Sequence, residues 1–215
     1  MKVEVRGKTL DIEPNSKPYL AKRIIADGFD TVLIFGLFML FVALLMKSPI
    51  AANYDRHYER YTAIEAETRA AFGSDAEAAA NALNNDREYL DERFAASLHG
   101  YLLKAAAGFL AMLPVLLAVP LLNRDCATPG KLMTGVMPFN ERRQTRARWY
   151  QTLLRFLFVF LLDGLMLYPW TGILTFALVP VLRLTAILCS RKDKTICDMV
   201  TGIMIIDKLS YNGIK

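Results

Sequence analysis

Arg23, Asp27 and Asp30 fall at i, i+4 and i+7, a spacing that sets all three on one face of a helix. Asp30 sits where an apolar block begins: 16 residues without charge follow it before Lys47. A carboxylate or guanidinium at the centre of a bilayer costs roughly 2.5–3.5 kcal/mol on insertion scales, less near the interface, so such groups turn inward and pair. Candidate partners at matching depth are Arg155 and Arg183, inside a second apolar block, and Asp198 just beyond it. Three acids and three arginines are therefore predicted to converge at one membrane face. Two chemistries fit that set. In one, Asp30 with Asp27 or Asp198 binds a cation or a proton while the arginines tune affinity. In the other, the charges neutralise one another and fix the register of the helices.

Other reactive residue types offer less. His57 and His99 lie in a charged segment with no HExxH and no acid at ligand spacing, so they read as surface histidines and no metal is expected. Asp163 and Lys104 stand near span ends and can snorkel. Thr128-Pro129-Gly130-Lys131 lacks the GxxxxGK[ST] frame of a phosphate loop. Cys126, Cys189 and Cys197 show no CxxC or Cys/His spacing and are expected as free thiols on the reducing side. With no nucleophile–base set, the expectation is a protein that is not an enzyme and needs no cofactor. Arg142, Arg143, Arg146 and Arg148 form a basic run that suits anionic lipid headgroups, and an ordinary cytoplasmic flank explains it as well.

The elements that must hold these charges are written in the apolar blocks. Besides residues 31–46, 19 uncharged residues separate Lys104 from Arg124, and only Arg155, Asp163 and Arg183 interrupt the 39 residues from Thr152 to Ser190. About 20 apolar residues cross about 30 Å of hydrocarbon, so the last block is long enough for two spans. Tyr168-Pro169-Trp170-Thr171-Gly172 supplies a break, with aromatic rings suited to the interface. The expected fold is an all-α, polytopic membrane protein with four transmembrane helices at about 18–47, 100–122, 149–167 and 172–190. Residues 1–17 and 208–215 are then tails. The first tail alternates Val3, Val5, Leu10 and Ile12 around Arg6-Gly7, a short-hairpin pattern.

Charge orients the spans. Residues 1–26, 123–151 and 190–215 carry 17 Lys/Arg in 81 positions, whereas 48–100 carries five arginines against ten acids. Lys/Arg excess marks the cytoplasmic side, giving an N-in/C-in topology with 48–99 outside. That insertion has a helical composition, with capping-box spacings at Ser74–Glu77 and Asn85–Glu88, the second starting a helix that continues into span two. The basic balance thus reads as a membrane signature, and no basic stripe with interleaved aromatics points to nucleic acid. Met133-Thr134-Gly135-Val136-Met137 after span two and Val200-Thr201-Gly202-Ile203-Met204 after span four match closely. They fit two hairpins related as parallel repeats, or chance likeness in short apolar tails.

Several of these stretches also resemble the RDD family of membrane proteins, over about residues 18–207. Arg23 through Asp30 resembles its opening arginine, six residues, aspartate. Thr128-Pro129-Gly130-Lys131 with Gly135 resembles its Thr-x-Gly-Lys segment, Arg155 the arginine of its next helix, and Asp198-Met199-Val200-Thr201-Gly202 its closing Asp-x-x-x-Gly. The roughly 50-residue insertion, Pro129 and Met137-Pro138 depart from the common pattern. The resemblance implies a bacterial inner-membrane, multi-pass protein. It implies either transport of an ion, proton or small solute, as in sodium/proton antiport, or a non-catalytic subunit of a larger assembly. Four spans are few to enclose a path, so the expected partners are the lipid bilayer and a homo-oligomer or larger membrane complex.

Overall fold

The computed structural model describes residues 2–5, 8–11, 17–140, 143, 145–167 and 194–207. These are mostly helical and divide into two compact units, residues 1–38 with 108–215 and residues 39–107. The predicted fourth span, 172–190, lies outside the described residues, as do Arg183, Arg142 and Cys189.

Helix α1 (Lys17–Leu45) carries Pro18 in its first turn, where a missing N–H costs nothing. Within its stretch Ala21–Leu45, an 18-residue window has a mean hydropathy of 2.3, and only 6% of that window is buried. Val32 and Phe35 are 72% and 63% exposed, unlike the buried stripe of a soluble core helix. A second continuous helical stretch, Arg87–Leu122, is also long and apolar enough to cross a bilayer, whereas Trp149–Leu162 is a shorter apolar helix. Apolar helices of this kind suggest a membrane protein.

Arg87–Leu122 consists of α4 (Arg87–Met112), a wide π turn over Leu113–Ala118 and α5 (Val119–Leu122). Pro114 lies in the wide turn; without an N–H it cannot complete the ordinary ladder. Phe109, just ahead of it, packs edge-on against Phe156 and Phe160 of α7 (Trp149–Leu167), the range expected for span three.

The unit of residues 39–107 contains α2 (Pro49–Phe72), α3 (Ala76–Asn85) and the first part of α4. Gly73, at φ +61°, closes α2. The caps differ from the predicted ones by one residue each. Asp75, rather than Ser74, accepts from the Ala78 amide at 3.0 Å, and Asp86, rather than Asn85, accepts from Glu88 at 2.9 Å. Each carboxylate caps a free amide and also meets the positive end of the helix dipole.

An all-α fold was expected, and two small sheets depart from it. The predicted N-terminal hairpin is present as β1 (Lys2–Val5) paired antiparallel with β2 (Lys8–Asp11). The second sheet has order β4-β3-β5, with β3 Val136–Asn140, β4 Thr145–Arg146 and β5 Ile203–Asp207. The apolar tails thus pair as strands and bury their side chains. Pro138 is tolerated there: its carbonyl accepts from Ala147 on the β4 side, so its absent N–H costs no bond to β5.

Each long strand leaves a short helix, α6 (Pro129–Thr134) before β3 and α8 (Ile196–Thr201) before β5. The two segments agree at a constant offset of 67 residues, the distance from Gly135 to Gly202. Thr128 and Thr195 are extended N-caps, and both glycines end their helices left-handed, at φ +71° and +65°. Thr134 Oγ1 donates to the Gly130 carbonyl (3.0 Å) as Thr201 Oγ1 does to Cys197 (2.7 Å). In the antiparallel β3–β5 pair, Pro138 stands opposite Ile205, its own equivalent. Equivalent residues facing each other is what a local two-fold axis produces.

Candidate functional site, a buried cluster of opposite charges

Asp198 is 1% exposed and collects the cluster. It is the third residue of α8, where a capping box forms with Thr195: the Asp198 amide donates to Thr195 Oγ1, and the Thr195 amide to Asp198 Oδ2, both at 3.2 Å. That fixed carboxylate then meets two guanidinium groups. Arg23 Nη2 from α1 donates to Oδ2 at 3.3 Å, and Arg155 Nη2 from α7 stands 3.2 Å from Oδ1, in ion-pair range but off the hydrogen-bond line. Burial alone pushes the Asp198 carboxyl up, but Arg155, Arg23 and Lys131 together bring it below the ordinary carboxylate value.

Asp30, also buried, takes a different partner. Its Oδ1 accepts from the Gly130 amide at 2.7 Å, at the start of α6. Gly130 is fixed by packing: a Cβ there would come within 2.1 Å of the Ala26 carbonyl oxygen on α1. A carboxylate at the positive end of a helix backbone is stabilised without a side-chain cation.

The next residue, Lys131, is 4% exposed. Its Nζ lies 3.3 Å from Thr128 Oγ1 and 3.5 Å from Oδ1 of Asp27, a half-exposed carboxylate. Burial first, then the nearby Arg155, lower the Lys131 pKa, and Asp27, Asp30 and Asp198 only partly oppose this. Among the described residues the set therefore has Arg23, Arg155 and Lys131 on one side, and Asp27, Asp30 and Asp198 on the other.

The structure thus brings together Arg23, Asp27, Asp30, Arg155 and Asp198. Lys131 is the member the sequence reading missed. Its signal was the repeat itself: three residues before the matched Thr134 and Thr201 stand Lys131 and Asp198, equivalent positions of opposite charge. Gln151 of α7 ties the repeats together, its Nε2 donating to the Thr201 carbonyl (2.8 Å) and its Oε1 accepting from Asn140 of β3 (3.0 Å).

The basic run is split. Arg143 and Arg148 are exposed. Arg146 is tied down by Asp125 at 3.4 Å and by the Arg124 carbonyl. Among the described residues no group of His, Cys, Asp and Glu is placed to hold a metal ion. His57 and His99, read as surface histidines, stack with ring centroids 5.4 Å apart, and His57 Nδ1 lies 2.6 Å from Glu92.

The sequence model of one protein family, described as RDD family, matches residues 17–202. No curated protein and no solved structure matches the chain.

Proposed function

The chain belongs to the RDD family, and on that premise we propose that it is a multi-pass bacterial inner-membrane protein, not an enzyme, that moves an ion, a proton or a small solute through its Asp/Arg/Lys cluster. The proposed topology has four spans with both termini inside, the two helix–Gly–strand segments closing parallel repeats. Because four spans enclose little space, the working form is a homo-oligomer or a larger membrane complex.

The observation that carries this reading is the buried, charge-balanced cluster containing one lysine. Guanidinium groups keep their protons at any accessible pH, so of the three bases only Lys131 can be discharged. Once neutral, it leaves one uncancelled negative charge among Asp27, Asp30 and Asp198, which an incoming cation or proton satisfies. Asp27, half-exposed beside Lys131, is the entry point. Proteoliposomes loaded with a pH-sensitive dye test this under imposed ion and proton gradients. Wild type should give flux that Asp30→Asn and Lys131→Met reduce ten-fold or more. Equal flux from the variants removes the cluster from the mechanism, and none under any gradient removes transport.

A second reading, a non-catalytic subunit that binds partners through the insertion, is favoured by the separate compact unit at 39–107. Deleting 51–97 should then abolish co-purification of a partner in mild detergent, while under the transport reading it leaves flux intact.

A further inference from the structure

We propose that the helical insertion carries a binding site for a carboxylate with a short aliphatic body, in the cavity walled by α2, α3 and the first turns of α4. The cavity encloses ≈ 330 Å³, at the small end of the roughly 300–1,000 Å³ that ligand sites occupy. Buried Ala79 and Leu83 of α3 line it together with buried Tyr89 of α4, an apolar surface that suits a few methylenes.

The charged groups lining it define the other end of the ligand. Arg69 comes from α2 and Arg93 from α4, with Glu65 one turn before Arg69. Glu65 Oε1 is 2.6 Å from Arg69 Nη2, so that guanidinium is already matched. Arg93 is not: its guanidinium stands over the Tyr89 ring at 5.9 Å, and among the described residues it makes no ion pair. Two arginines and one glutamate leave the lining one positive charge, matched by one negative charge rather than two. A planar carboxylate fits the guanidinium fork, and Asn84 adds an amide at the same cavity. The ring beneath Arg93 holds the fork in place before the ligand arrives, which lowers the ordering cost of binding.

The carboxylate comes either from a free short-chain acid or from an acidic side chain of a polypeptide. The full-length protein in a non-ionic detergent is titrated calorimetrically with butyrate, with its neutral counterpart butyramide, and with Ac-Ala-Glu-Ala-NH2. Wild type should bind butyrate or the peptide, and the tighter of the two identifies the source. Butyramide should bind at least about ten-fold more weakly than butyrate, and Arg93→Gln should weaken the carboxylate on the order of ten- to a hundred-fold. Ala80→Phe, which fills the cavity and leaves every charge in place, should abolish binding. Arg93 and Ala80 are both exposed, so unchanged helical circular dichroism is expected for both variants. The site is overturned if neither carboxylate binds, if butyramide binds as tightly as the tighter carboxylate, if Arg93→Gln keeps wild-type affinity, or if Ala80→Phe still binds. None of these outcomes touches the charge cluster, whose test is flux.

Discussion

A carboxylate clamped between guanidinium groups out of water adds little stability as a set, because desolvating the ions offsets their attraction, but breaking the set is expensive. Asp198→Asn leaves Arg23 and Arg155 buried without their counter-charge and should cost about 3–5 kcal/mol, read as a fall in unfolding midpoint in detergent micelles. The same residue sets an acid limit. Its pKa is depressed in the fold, so its stabilisation is fully present above the unfolded value near 3.9 and drains away as pH falls through the folded one. Lys131 works on the alkaline side. Its folded pKa lies below the unfolded value of about 10.4, and between the two the unfolded chain binds more protons, so stability should rise with pH in that window. Lys131→Met should flatten the rise, which melting curves from pH 6 to 10 would show; parallel wild-type and mutant curves would refute it. The apolar blocks made Asp30 and Arg155 conspicuous in the sequence, since a charge among lipid-soluble residues has few explanations. Lys131 stood outside the predicted cluster because it lies between the apolar blocks, where a charge is ordinary. It is buried only because Gly130 lets α6 press against Ala26.

The start of helix α7 was legible because apolar-rich positions follow directly on a basic run. The β3–β5 sheet was not, although the match between its flanking segments was. Five-residue strands with four apolar residues, such as Val136–Asn140 and Ile203–Asp207, carry no helix-length signal, and the equivalent segment lies 67 residues away, beyond any local pattern. What identifies the segments is the glycine between helix and strand. Gly135 and Gly202 both sit at positive φ with open space around the missing Cβ, so the penalty for alanine there is conformational rather than steric. Gly135→Ala and Gly202→Ala should therefore cost about 1–2 kcal/mol each, and by nearly the same amount, in chemical denaturation. Gly130→Ala is the contrasting case: its φ is ordinary, but a 2.1 Å clash with a backbone carbonyl must push α6 from α1 and free Asp30 of its amide. It should be the most damaging of the three; a cost no larger than the other two would show that α6 is not held as described.

For the chain as a whole, the uneven distribution of Lys and Arg carries the topology. Charges in 1–26, 123–151 and 190–215 favour the cytoplasmic side of an inner membrane, and the five arginines of 48–100 are outnumbered two to one by acids. The charge cluster agrees with that arrangement. Arg23, Lys131, Arg155 and Asp198 belong to or adjoin the basic segments, so under the proposed topology they meet on the side those segments share. Sided labelling decides the matter. With Cys126, Cys189 and Cys197 replaced by Ala, single cysteines at Ser74, Thr9 and Asn212 are exposed to a membrane-impermeant maleimide in intact spheroplasts. Ser74→Cys should be labelled at once, and Thr9→Cys and Asn212→Cys only after lysis. Labelling of Asn212→Cys but not Thr9→Cys in intact cells would mean an odd number of spans. Protection of Ser74→Cys until lysis would put the insertion inside and invert the charge argument.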